Sequence, residues 1–304
     1  VDVTQRALGD FCGADRQPAI LDESIALWRR DVRARPLVIC GGGYLNGSWR
    51  AEIGGKLRRL VAISGSAPSA LHAVELRELT APPLAVLAGR LLRNARISVR
   101  DQPSATEAEL IAGRGADVVP DAISLLQPRA AEFLRTAGAA RRRGPILVNL
   151  LDVPGRNDCA EAEFPTDDWP ARCRSLLAQI DGAVCGIAVD DSDGAFMARA
   201  LGIQVVKPGT VAALFRLLLD ARALISTRMH PGLIATMLGT PALVLPYCGK
   251  VRPTLARLGL GEAVAGPGSL EIPWEQILRQ DFAAAWEANY AETSAWLACA
   301  LKGL

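Results

Sequence analysis

The chain has 304 residues, half of them hydrophobic and 22% charged, and its 34 Lys+Arg nearly balance 32 Asp+Glu to leave a net charge of +2. That length suits two domains of about 150 residues each, and the near-neutral balance gives no basis for nucleic acid as the main partner. No apolar run approaches the roughly 20 residues of a membrane span, and two histidines, His72 and His230, cannot build a His-rich metal site. Seven cysteines without a CxxC pair read as reduced, structural thiols, which points to a cytoplasmic protein. The chain opens VDVTQRALGD without an initiator Met or a secretory apolar region, so an upstream segment is expected, a first strand among its contents.

In chain order, apolar β-branched runs alternate with amphipathic or Ala/Leu-rich ones. Strands are predicted over 37–40, 60–63, 95–99, 117–119, 146–150, 183–189, 204–206, 224–226 and 242–245. Helices are predicted over 20–31, 48–59, 70–78, 83–93, 104–113, 129–137, 168–180, 194–201, 210–220, 231–238, 251–258 and 281–301. Continuously apolar strands alternating with helices indicate an α/β protein with parallel sheets covered on both faces. The stretch 136–145, TAGAARRRGP, ends a helical run in a basic triplet and then Gly-Pro, and it is the expected linker. The domains are therefore drawn as 1–143, 144–280 and a terminal helix over 281–304. Residues 152–170 read as a polar loop leading into the helix over 168–180. The aromatic residues Phe282, Trp286, Tyr290 and Trp296 of the last helix read as packing rather than a ligand cage.

Several positions suit an anionic ligand. Arg228 and His230 lie at the carboxyl end of a predicted strand, where Pro231 opens a helix; that helix start and its dipole favour anions. Arg100 ends another strand, where a guanidinium can grip a carboxylate or phosphate in two-point fashion. Lys250 follows the next strand after His230 and offers one more cation. Gly41, Gly42 and Gly43, with Asn46, follow a strand and precede a helix. They suit a tight βα turn as well as a ligand loop, but they are neither GxGxxG nor a P-loop. Asp101 and Asp121 stand at strand ends, each open to a capping role. His72, in the predicted 70–78 helix, reads as structural or solvent-facing.

Together these pieces resemble the polysaccharide pyruvyl transferase family. The likeness rests on GGGYLN at 41–46, ISVRDQPS at 97–104, GADVVPD at 115–121 and ISTRMHPGLIATMLGTPALVLPYCGK at 225–250. It does not extend clearly into residues 1–36, where Gly9-Asp10 is the one counterpart of a family turn. The resemblance implies two Rossmann-like domains in a GT-B-like arrangement, facing each other across a cleft, with the terminal helix packing back towards the first. It implies transfer of pyruvate from phosphoenolpyruvate to a sugar as a cyclic ketal, with no metal or cofactor. It implies Arg228 and His230 as a donor-binding pair and Arg100 as a further donor ligand, to which Lys250 is added on its position alone. In the mechanism expected of these residues His230 serves as general acid or phosphate holder and Asp121 or Asp101 accepts a hydroxyl proton. A glycan acceptor, lipid-linked at the inner membrane face, would add peripheral membrane contact, and a homo-oligomer is compatible with the reading. Acceptor loops are expected at 46–51, 64–70 and 152–169. The rival readings are a GT-B glycosyltransferase using a nucleotide sugar and a non-catalytic relative that binds sugar or phosphate.

Overall fold

The computed structural model describes residues 37–47, 50–64, 69–137, 142–154, 156 and 162–302. The predicted helix over 20–31, the Gly9-Asp10 turn, Arg141 and parts of the expected acceptor loops lie outside them. The described chain forms two compact α/β units. One holds the residues up to Leu126 together with those from Ala288 onward, and the other is Gln127–Glu287.

The first unit is built on four parallel strands in chain order: β1 (Leu37–Asn46), β2 (Ser69–Arg77), β3 (Ala95–Val99) and β4 (Asp117–Val118). The crossovers are α1 (Arg50–Ser64), α2 (Leu84–Arg93) and α3 (Gln102–Ala112). Ile53, Leu57 and Leu60 of α1 recur at helical spacing and join Leu84, Ala88, Leu91 and Leu92 of α2 in one core with Leu71, Val74, Ile97 and Val99. Asp101 caps α3 by accepting the Ser104 N–H at 2.8 Å, and Gly113 ends that helix at φ 68°.

Two predicted elements are exchanged here. Residues 60–63, expected as a strand, are the last turn of α1, and 70–78, expected as a helix, is strand β2. The sequence SALHAVELR is rich in helix formers, but eight of its nine residues are buried. A helix of that composition would leave one face in water; a strand inside a parallel sheet is covered on both faces, and burial overrides propensity. The glycine run is also displaced from its expected place. β1 continues through Gly41–Gly43 to Asn46, with Gly41 at φ 43° and a register break between Gly42 and Leu45. These glycines form a bulge inside a strand rather than the turn after it.

The second unit carries five parallel strands: β5 (Ile146–Asn149), β6 (Val184–Ile187), β7 (Val205–Val206), β8 (Leu224–Ser226) and β9 (Ala242–Val244), in the spatial order β7-β6-β5-β8-β9. The chain runs outward from β5 to β7, returns to the other side of β5 as β8, and continues outward to β9. The point where the order reverses, between β5 and β8, is where α/β sheets of this kind leave a crevice at their carboxyl ends. Helices α4 (Gln127–Ala137), α5 (Trp169–Leu177), α6 (Asp191–Leu201), α7 (Val211–Asp220), α8 (Met229–Met237), α9 (Val251–Arg257) and the short α10 (Trp274–Leu278) complete the unit. The boundary precedes the expected linker because α4 sets Phe133 edge-on against Phe215 of α7, with ring centres 5.3 Å apart. In α8 only His230 escapes burial. Gly232 lets this helix lie flush on the sheet: a Cβ there would stand 2.3 Å from Val244 Cγ2 of β9.

The last helix, α11 (Ala283–Lys302), contributes to both units. Trp286 is buried in the second, its indole N–H donating to Thr236 Oγ1 at 3.3 Å. Trp296 belongs to the first, where it stacks on His72 and donates to Asp117 at 2.8 Å. No described helix is long and apolar enough to cross a membrane.

Candidate functional site

In the second unit, the carboxyl ends of β5 and β8 bring together Asn149, Ser226, Thr227 and Arg228. The Thr227 amide and hydroxyl both donate to the Asn149 carbonyl, at 2.8 and 3.1 Å, which ties the two strand ends at the switch point. Ser226 Oγ donates to the Arg228 carbonyl at 2.7 Å and fixes the corner from which the arginine side chain departs. Arg228 is the N-cap residue of α8, and no side chain caps that helix. His230 follows in the first turn, partly exposed. Lys250 occupies the N-cap position of α9 and is also partly exposed.

Two carboxylates that sequence reading missed engage Arg228. Asp193, fully buried, accepts Nε at 2.6 Å and Nη2 at 2.8 Å in a two-point pair. Asp190 also accepts from Nη2. Asn149 supports Asp193 by donating to it at 3.3 Å and to the Ile187 carbonyl at 2.8 Å. Burial alone would lower the Arg228 pKa, but the hydrogen bond and charge of Asp193, with the charge of Asp190, outweigh it and raise the pKa, against a small opposing field from Arg156. Burial likewise opposes the charge on Asp190, yet Ser192, the Asp193 N–H and Arg228 together bring its pKa down to about 2. Asp190 is therefore an anion at every physiological pH and a poor proton acceptor. The run Val189-Asp190-Asp191-Ser192-Asp193 after a predicted strand was the available signal for these residues.

In the first unit, Arg100, Asp101 and Asp121 are brought together as a buried charge cluster. Arg100 donates to Asp121 Oδ2 at 3.0 Å and to Glu75, and its Nε lies 3.8 Å from Asp101. Its side chain is only 1% exposed, so it is held among carboxylates rather than presented to solvent. Burial would lower the Arg100 pKa, but Glu75, Asp121 and Asp101 raise it well above that of a free guanidinium. Asp121 also accepts the Ile123 N–H at 3.0 Å, opening the 3-10 turn Ala122–Leu126. Asp101 is the more accessible of the two candidate carboxylates, at 11% against 1%. Asn46 is buried at the end of β1.

Glu75 went unnoticed because its strand reads as a helix, where a glutamate would face water. A break in β2 explains how it reaches Arg100. Ala73 sits at φ 50°, and the β2–β3 register shifts between Leu71 and Val74. The extra residue lets His72 and Glu75, three positions apart, both lie near Asp121; strict alternation would send them to opposite faces. His72 is fully buried against Trp296, ring centres 5.0 Å apart. Ser98 Oγ accepts the Ala73 N–H at 3.0 Å and meets His72 Nδ1 at 3.1 Å. His72 is thus structural in fact, but in a sheet and not on a helix surface.

Burial pushes the His72 pKa down to about 4, opposed only partly by Asp121. Free imidazole titrates at 6.5, so the unfolded chain binds the proton first. The stability that neutral His72 contributes is present above pH 6.5 and is lost as pH falls towards 4, by up to about 3 kcal/mol. Urea titrations at pH 7 and pH 4 should show a smaller fall in midpoint for His72→Asn, which keeps an amide donor for Ser98 without titrating. An identical fall in both proteins would remove His72 as the responsible group.

Two Rossmann-like α/β units, each built on a parallel sheet and the second with a charged corner at its switch point, place the protein in the α/β class. The chain belongs to the polysaccharide pyruvyl transferase family, whose sequence model matches residues 15–249. It is accordingly a transferase that moves a pyruvyl group in polysaccharide synthesis, with a polysaccharide as acceptor. The match takes in Arg100, Asp101, Asp121, Arg228 and His230 and stops one residue before Lys250. No curated relative matches the chain.

Proposed function

We propose that the donor is phosphoenolpyruvate and that the product is a cyclic pyruvyl ketal on one sugar of the acceptor. The supporting observation is the corner at the end of β8: a guanidinium held in a fixed orientation, an imidazole one residue beyond the first helical position, and an uncapped helix start. A small trianion needs that combination of fixed cation, peptide N–H groups and nearby proton source. In this reading Arg228, His230 and Lys250 grip the donor. Arg100, paired with Glu75 and Asp121, would bind the donor only by leaving them.

The reaction begins with a proton reaching the methylene carbon, which becomes the methyl group and leaves C2 oxocarbenium-like. One sugar hydroxyl adds to C2, the C2–O bond to phosphate breaks, and a second hydroxyl closes the ketal. Of the two hydroxyl protons released, one balances that gained by carbon and the other leaves on hydrogen phosphate. His230 is assigned the proton donor or phosphate-holding role, since an imidazole can give up a proton or donate a hydrogen bond. Asp101, the more accessible carboxylate, is nominated as the hydroxyl's proton acceptor. No metal enters the scheme.

The acceptor is read as a lipid-linked glycan precursor or the polysaccharide itself. Incubation with phosphoenolpyruvate and each acceptor class, following phosphate release and the acceptor's mass, tests the whole reading. The expected gain is pyruvic acid less one water. Consumption of a nucleotide sugar with phosphoenolpyruvate untouched would replace the donor assignment.

A further inference from the structure

The two carboxylates on Arg228 are held in different ways. Asp193 is buried and accepts Nε on Oδ2 and Nη2 on Oδ1, with Asn149 also donating to Oδ2. Asp190 has a side chain 47% exposed and reaches only Nη2, through Oδ2. Its other oxygen has separate work: Oδ1 accepts the Ser192 hydroxyl at 2.6 Å and the Asp193 N–H at 3.0 Å, capping α6. Oδ2 can therefore leave Arg228 while Oδ1 keeps the cap.

We propose that Asp193 is a positioning residue for Arg228 and that Asp190 is a displaceable internal anion, occupying the guanidinium until the donor's carboxylate or phosphate takes its place. This rests on the reading of Arg228 as a donor ligand. Asp193, backed by Asn149, holds the Nε/Nη2 edge, and the outer side, where Asp190 meets Nη2, is the part an incoming anion would take. Asp190 lies on that outer side, and its charge opposes any second anion there. A multiply charged donor displaces it; a weakly binding monoanion does not. Asp190 thus raises the threshold for occupancy, and Asp193 sets the geometry.

The test is isothermal titration of the full chain, at fixed ionic strength, with phosphoenolpyruvate and separately with inorganic phosphate. Asp190→Asn preserves the cap, since asparagine caps helices as well as aspartate. It should bind both ligands about three- to tenfold more tightly, with the gain shrinking as salt is raised. In turnover its KM for phosphoenolpyruvate should fall by a similar factor without a rise in kcat. Asp193→Asn should do the opposite, raising KM and lowering kcat, because its amide N–H would face the donors of Arg228 or Asn149. Wild-type protein with no affinity for phosphoenolpyruvate would overturn the donor assignment and this inference with it. Wild-type binding with equal or weaker affinity in Asp190→Asn would overturn the inference alone.

Discussion

Arg100→Met is expected to lower the protein's stability by about 3–5 kcal/mol, the usual consequence of stripping the counter-ion from a buried charge group. Arg100 is 1% exposed and faces Glu75 and Asp121, at 3% and 1%. Taking away the guanidinium leaves those two carboxylates confined together with no solvent to disperse their charge. Methionine matches much of the lost volume, so the effect is chiefly electrostatic rather than a cavity. The triple variant Arg100→Met, Glu75→Gln, Asp121→Asn removes the charges as a set, and the amide oxygen introduced by Asp121→Asn can still accept the Ile123 N–H. It should recover most of the loss, because neutral groups of similar shape carry no such desolvation cost. Urea midpoints of the three proteins decide the matter. A single variant as stable as wild type would show that Glu75 and Asp121 do not depend on Arg100 as their counter-ion.

The second large effect is catalytic. Arg228→Lys keeps one positive charge beside Asp193 but replaces a planar fork by a point charge that cannot hold Nε and Nη2 positions together. The kcat/KM for pyruvyl transfer should fall by about a hundredfold or more, as when one preorganised donor is lost from a developing anion. The urea midpoint should move little, because Asp193 retains a cation and Arg228 is partly exposed. Full activity in Arg228→Lys would mean that charge alone, not orientation, matters at this corner. Collapse of stability in step with activity would mark Arg228 as a structural ion-pair member instead.

Burial also bears on the thiols. Among the described residues Cys40, Cys173, Cys185, Cys248 and Cys299 carry thiols outside any disulfide. Burial pushes the Cys173 thiol up to about 12, which leaves almost no thiolate at neutral pH. Cys173 thus behaves as a small apolar residue, whereas Cys299 is exposed.

Much of the architecture is legible in the sequence. Periodicity locates β3, β5, β6, β8 and β9 and the helices between them, because strands buried on both faces leave a nearly unbroken apolar run. Arg228 and His230 are also legible, since a cation and an imidazole beside a proline-opened helix are local features of one short stretch. The stretch 60–78 is not. Leu60–Ile63 looks like a strand and SALHAVELR like a helix, and only packing on both faces of β2 reverses them. That reversal hides Glu75 and misplaces His72, so the buried cluster around Arg100 cannot be seen from the sequence. Asp190 and Asp193 are hidden for another reason: they lie 35 to 38 residues before Arg228. Only the crossover order β7-β6-β5-β8-β9 brings α6 and the end of β8 to the same edge. The α/β class, the family and the cationic corner can be read from the chain directly, because each depends on residues close together in it. Tertiary structure alone decided which carboxylates neutralise each arginine, because a counter-ion is chosen by distance in space, and sheet order sets that distance.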